Sequence, residues 1–189
     1  LHSYSYTYII KQITSSPDKI FDYILDDEEV RKRTSSVTKY YDNLIFGVEE
    51  QIKNEESESV KLHLKKKALY LTLVSINILE GIRFYVSFVC TYAFAQYQKK
   101  MEGNAKIISL INRDENLHLA FGSRLLKIFN TVKEEGFMEV AEECKDIVKQ
   151  MYLDAAKEEM EWAEYLFKNG TMVGLNAEIL IDYMKWLTN

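Results

Sequence analysis

One proline and seven glycines among 189 residues leave few places where the chain can turn sharply. A β-sandwich or barrel needs many short strands joined by Gly- and Pro-rich turns, so those architectures are excluded. Long helices remain. Hydrophobic residues are 47% of the chain and charged residues 28%, which suits one soluble all-α domain over residues 1–189 and rules out intrinsic disorder.

Charge narrows the partners. The 24 Lys and Arg against 29 Asp and Glu give a net charge of −5, the reverse of the basic field that phosphate backbones recruit, so no direct nucleic-acid partner is expected. Cys90 and Cys144 are far apart and form no CxxC, which argues against a disulfide framework or thiolate zinc site and fits a reducing, cytoplasmic compartment. The most apolar stretch, Phe84 to Ala95, is bounded by Glu80 and Arg83 and by Gln96 to Lys100. It falls short of the roughly 20 residues that span a bilayer, so it is expected to be a buried helix with no membrane partner. The first residue is Leu rather than Met, so the natural start of the chain is expected to lie upstream.

Apolar periodicity predicts helices along the whole chain. The first spans His2 to Ile13 and is stopped by Ser15-Ser16-Pro17-Asp18; a short one follows from Pro17 to Leu25. Helical spacing continues from Asp26 to Gln51, and Asn54 to Ser59 reads as a polar loop. Leu62 to Gln98 is too long for one ordinary helix, so two segments or a kink are expected, with an irregularity near Gly81. Further helices are predicted over Gly103–Val132, over Met138–Phe167 as one element, and from about Asn176.

Three histidines are available for chemistry. His118 follows Glu115 by three residues inside an apolar helix, which places a carboxylate and an imidazole on one face, one turn apart. That is a chelating geometry, although a lone ExxH is common on solvated helices. Glu80 shares a stripe with Phe84 and Phe88 at i, i+4 and i+8. A carboxylate buried there needs a cation. Arg83, three residues on, would satisfy it within the helix; a metal ion would satisfy it as well. His2 and Tyr6 are i and i+4 on the first helix, and a histidine near a terminus is ordinarily surface. His63, beside Lys65 to Lys67, reads as solvated.

The segments His2-Ser3-Tyr4-Ser5-Tyr6, Leu79-Glu80-Gly81-Ile82-Arg83-Phe84, Glu102-Gly103-Asn104-Ala105 and Arg113-Asp114-Glu115-Asn116-Leu117-His118 occur in an order that resembles the small, radical-generating subunit of class I ribonucleotide reductase. Glu142-Glu143-Cys144, Glu161-Trp162-Ala163-Glu164-Tyr165 and Gly174-Leu175-Asn176 extend the likeness toward the C-terminus. The resemblance implies a ferritin-like helical bundle with a di-iron centre, or manganese in some relatives, held by carboxylates and two histidines. It assigns His2, Glu80, Glu115 and His118 as metal ligands, Tyr6 as the tyrosine oxidised to a stable radical, and Asp114 as a carboxylate that orients a ligand histidine. Phe84, Phe88 and Ile111 become the apolar pocket that keeps water from the radical. The implied reaction is oxidation of Fe(II) by dioxygen, removal of an electron and a proton from Tyr6, and long-range transfer of the radical to a large catalytic subunit that reduces the ribonucleoside diphosphate. The implied assembly is a homodimer of small subunits joined to that large subunit.

Measured against this pattern, an upstream Asp, the Glu of the first ExxH and the docking tail would all lie outside the 189 residues, so a truncated fragment, incomplete at both ends, is expected. Glu80 and Glu115 are two of the four carboxylates such a site uses. One weakly held divalent ion and little radical formation are therefore expected, with the isolated fragment not competent. Two competing readings are a metal-free helical interaction or scaffold module with the same fold, and another ferritin-like carboxylate oxidase or oxygenase. Tyr6 at i+4 from His2 speaks against this last reading.

Overall fold

A computed structural model of the chain describes residues 2–133 and 135–188, and for residue 2 the backbone alone. Among the described residues no strand forms; Met172 and Leu175 make one isolated antiparallel bridge. The all-α expectation holds.

Local chemistry sets the helix ends. Helix α1 (His2–Ile13) is followed by α2 (Pro17–Asp26), whose proline occupies its first turn, where no backbone N–H is needed. Asp27 ends α2 and caps α3 (Glu28–Asp42), its carboxylate accepting from the Val30 N–H at 3.0 Å. A π-helical turn, Asn43–Gly47, carries α3 into α4 (Val48–Ile52). Ser57 then caps α5 (Glu58–Ile78). A second π turn, Leu79–Arg83, separates α5 from α6 (Tyr85–Gln98), which places the expected irregularity at Gly81.

Lys99 and Met101 adopt left-handed backbone in the connection to α7 (Glu102–Phe129). Gly136, at φ 68°, opens α8 (Phe137–Glu143), and α9 (Lys145–Leu166) and α10 (Ala177–Thr188) complete the order. One expectation is corrected here. The helix predicted from Met138 to Phe167 is two helices, because the chain breaks at Cys144, whose φ and ψ of −87° and −1° leave the α-helical range. The fully buried Cys144 packs into the core at this corner.

The main core gathers Val74, Ile78, Ile82 and Val86 of the α5–α6 stretch against Val140, Ala155, Ala163, Leu180 and Met184 of α8, α9 and α10. Helix α7 packs along α5 and α6, where Phe88, Ile108 and Ile111 form a separate buried cluster. The continuous 41-residue run Glu58–Gln98 contains a window of mean hydropathy 1.5, long and apolar enough by composition to cross a membrane, which corrects the estimate made from Phe84–Ala95. In this fold 44% of that window is buried against the surrounding helices.

Candidate metal centre

Two elements converge on one point. On α7 the buried positions are Ile108, Ile111 and Glu115, so the stripe that docks the helix also carries a carboxylate inward, leaving Glu115 3% exposed. His118 sits one turn further on. The π turn faces this part of α7 and supplies Glu80. His118 Nδ1 lies 2.8 Å from Glu115 Oε2 and 3.7 Å from Glu80 Oε2, and one ligand atom from each residue falls within 4.8 Å of the others.

The electrostatics of this cluster favour a cation. Burial, together with the neighbouring Glu115 carboxylate, pushes the Glu80 carboxyl up to about 7. A hydrogen bond to Glu115 raises the His118 imidazolium as well. Protons thus gather where two carboxylates face each other, and among the described residues Glu80 Oε2 is buried without a hydrogen-bond partner. An orphaned carboxylate oxygen, a second buried carboxylate and an imidazole fit one divalent ion of the iron or manganese type.

The remaining expectations divide. Phe84, Phe88 and Ile111 do come together, with Phe88 2% and Ile111 3% exposed and the Phe84 and Phe88 rings stacked at 5.8 Å. Tyr6 lies close enough to Glu115 for that charge to add to burial in raising its phenol, yet it is 43% exposed, so the described residues do not seal it from water. Asp114 is next to Glu115, with Oδ1 3.8 Å from Arg113 Nη2. The assignment of His2 falls on a side chain outside the described residues. His63 is not simply solvated: its Nε2 lies 2.7 Å from Glu143 Oε2, and Glu143 also pairs with Lys67.

The intrahelical Glu80–Arg83 pair does not form. Arg83 turns toward α9, with Nη2 2.7 Å from Glu158 Oε2 and Nη1 3.5 Å from Glu159 Oε1. Glu159 is fully buried, and Arg33 of α3 clasps it with Nε and Nη2 at 2.9 and 3.0 Å while stacking over the Trp162 ring. Sequence reasoning missed this network. Its signal was present: Met151, Ala155, Glu159 and Ala163 recur every four residues on α9, so one carboxylate interrupts an apolar stripe.

Comparisons with known proteins identify the family. The family model for the ribonucleotide reductase small chain matches residues 1–189. A ribonucleoside-diphosphate reductase subunit beta from Buchnera aphidicola subsp. Baizongia pistaciae is 45% identical over 198 aligned positions, which take in 100% of this chain and 52% of the relative. The subunit beta of Enterobacteria phage T4 is 34% identical, over 100% of this chain and 53% of the relative. The chain spans about half the length of the curated relatives it matches. A solved structure, the ribonucleotide reductase R2 subunit from Clostridium botulinum, superposes with a TM-score of 0.70 at 31% identity, covering 99% of this chain and 53% of that one. The all-α fold is of the ferritin-like type, and the chain belongs to the ribonucleotide reductase small-chain family.

Proposed function

We propose that this chain forms part of the radical-generating small subunit of a ribonucleoside-diphosphate reductase and that Glu80, Glu115 and His118 hold one metal of its di-iron or manganese centre. The observation that carries this reading is the convergence of three ligand atoms within 4.8 Å around the orphaned, buried Oε2 of Glu80. Bound iron would supply the one-electron oxidation of a tyrosine that side chains alone cannot perform. The chain's own part is geometry and dryness. Glu80 and Glu115 would hold and neutralise the ion, and the His118 imidazole on α7 would complete its ligand set. Phe84, Phe88 and Ile111 exclude water from one side, and Tyr6 is the candidate radical site, its phenol keeping its proton because burial and the Glu115 charge disfavour the phenolate. Asp114 is assigned to orient a ligand histidine, and His2 to bind the second metal. A homodimer and a large catalytic subunit are the proposed partners, in the cytoplasm, where the free thiols of Cys90 and Cys144 would persist.

The test is metal content per chain after anaerobic Fe(II) loading and oxygen exposure, with an electron paramagnetic resonance spectrum of the same sample. Bound iron that is lost in Glu115→Ala supports the ligand assignment, and any tyrosyl signal, expected to be weak in this chain, should be lost in Tyr6→Phe. A chain that retains no iron under these conditions refutes it.

A further inference from the structure

The route by which Glu80 comes to face α7 is not explained by its own contacts. Glu80 and Arg83 are three residues apart, a spacing that on a regular α-helix puts both on one face, where they would pair. The π turn Leu79–Arg83 breaks that relation: Glu80 faces Glu115 and His118, and Arg83 faces α9. What holds the turn is its last residue. The Arg83 side chain is 6% exposed and bridges Glu158 and Glu159, and its backbone carbonyl accepts a hydrogen bond from Arg33 Nη2. Ser36 Oγ steadies Glu158 from α3 at 2.7 Å. Side chain and backbone of one residue are thus both clamped, from two neighbouring helices.

On the other side, Gly81 lets Leu119 approach. A Cβ at Gly81 would lie 3.0 Å from Leu119 Cδ1, and Leu119 directly follows His118. The turn is therefore gripped by α3 and α9 at Arg83 and apposed to α7 at Gly81, with Glu80 beside that contact. Neither Arg83 nor its partners reach the three ligand atoms.

We propose that Arg83, clamped by Glu158, Glu159 and Arg33, is the positioning residue that aims Glu80 at Glu115 and His118. The role rests on the metal-centre reading above and adds to it a support that none of the ligands provides. A guanidinium can serve two carboxylates through its planar fork, whereas a lysine ammonium reaches them as a single point charge. Arg83→Lys therefore keeps the charge balance of the buried network and loosens only its geometry.

Two measurements on the full 189-residue chain decide it. Metal-free crystal structures of the parent and of Arg83→Lys should show the Glu80 carboxylate displaced from its place 3.7 Å from His118 Nδ1. Titration with Co(II), followed by its visible absorption, should show affinity lower by about 10- to 100-fold and an altered band shape, as for other groups that orient metal ligands. Glu158→Ala, whose side chain is partly exposed at 27%, should act in the same direction by less, and serves if Arg83→Lys does not fold. Leu180→Ala, in the core on α10, controls for general loss of stability and should leave Co(II) binding unchanged. An undisplaced Glu80 in the folded variant overturns the proposal, and so does an equal loss of Co(II) affinity in Leu180→Ala. A parent chain that takes up no Co(II) sinks the metal reading instead, and the crystallographic comparison still decides what Arg83 positions.

Discussion

The close approach of α5 and α7 carries a sharp prediction, because the same substitution at two places on α7 should have opposite signs. Gly122 lies mid-helix, and a Cβ built there would fall 2.5 Å from the Oδ1 and 3.5 Å from the Cγ of Asn77 on α5. Asn77 is 7% exposed, its Nδ2 donates to Ser123 Oγ at 3.2 Å, and its Oδ1 has no partner to give up. Alanine in place of glycine gains about 1 kcal/mol of helix propensity. Against that stand overpacking, about 1–3 kcal/mol, and the strained or broken Ser123 bond, about 1 kcal/mol. The net expectation for Gly122→Ala is a loss of about 1–3 kcal/mol. Gly103, in the first turn of α7, has nothing within 4 Å of its would-be Cβ, so Gly103→Ala should gain about 0.4–1 kcal/mol. Urea unfolding followed by circular dichroism measures both, and each kcal/mol moves Tm by about 2–4 °C at this chain length. Stabilisation by Gly122→Ala comparable to that of Gly103→Ala would refute the spacing of α5 and α7, and with it the distance between Glu80 and the two ligands on α7.

Three further outcomes are expected. Phe88→Ala should cost about 3–5 kcal/mol, because the ring is 2% exposed and anchors the cluster with Ile108 and Ile111; a loss below about 1 kcal/mol in urea would contradict its burial. His118→Ala should abolish stoichiometric Co(II) uptake while leaving the circular dichroism spectrum intact, since the side chain is 54% exposed and carries little packing; undiminished uptake would remove it from the ligand set. Hydrogen bonds from Tyr165 and the Val30 N–H hold the Asp27 carboxyl below its ordinary 3.8. Its stabilising contribution is therefore complete above 3.8 and is lost as pH falls through the depressed folded value. Asp27→Asn, which can still cap α3, should flatten the fall of the urea midpoint in that acid range, and an unchanged acid profile would count against the cap.

Much of this architecture was legible because periodicity and stop signals act locally. Pro17 after Ser16, the polar stretch before Glu58 and the left-handed glycine at 136 mark boundaries through backbone chemistry that needs no tertiary information. The break at Cys144 was not legible. Apolar spacing runs through Val140, Cys144, Val148 and Met151 without interruption, and no Gly or Pro marks the corner. Its cause is the packing of α8 and α9 against α5, which a single helix could not follow. The ligand trio was readable in part, since Glu115 and His118 share a helix, whereas their meeting with Glu80 depends on the α5–α7 contact.

Glu80 and Arg83 show why spacing alone misleads at this site. An i, i+3 pair of opposite charge is the simplest way to neutralise a carboxylate on an apolar stripe, and a straight helix would have used it. One π turn separates the two charges, and each must then find a partner elsewhere. Arg83 finds Glu158 and Glu159, so its charge is matched twice over on the α9 side. Glu80 meets another acid, Glu115, and among the described residues His118 offers the compensating charge, at 3.7 Å. A fold that needed only stability would gain by letting the helix close and the pair form. The open turn instead leaves a carboxylate oxygen buried and, among the described residues, without a hydrogen bond, a cost that makes physical sense when a cation completes the cluster.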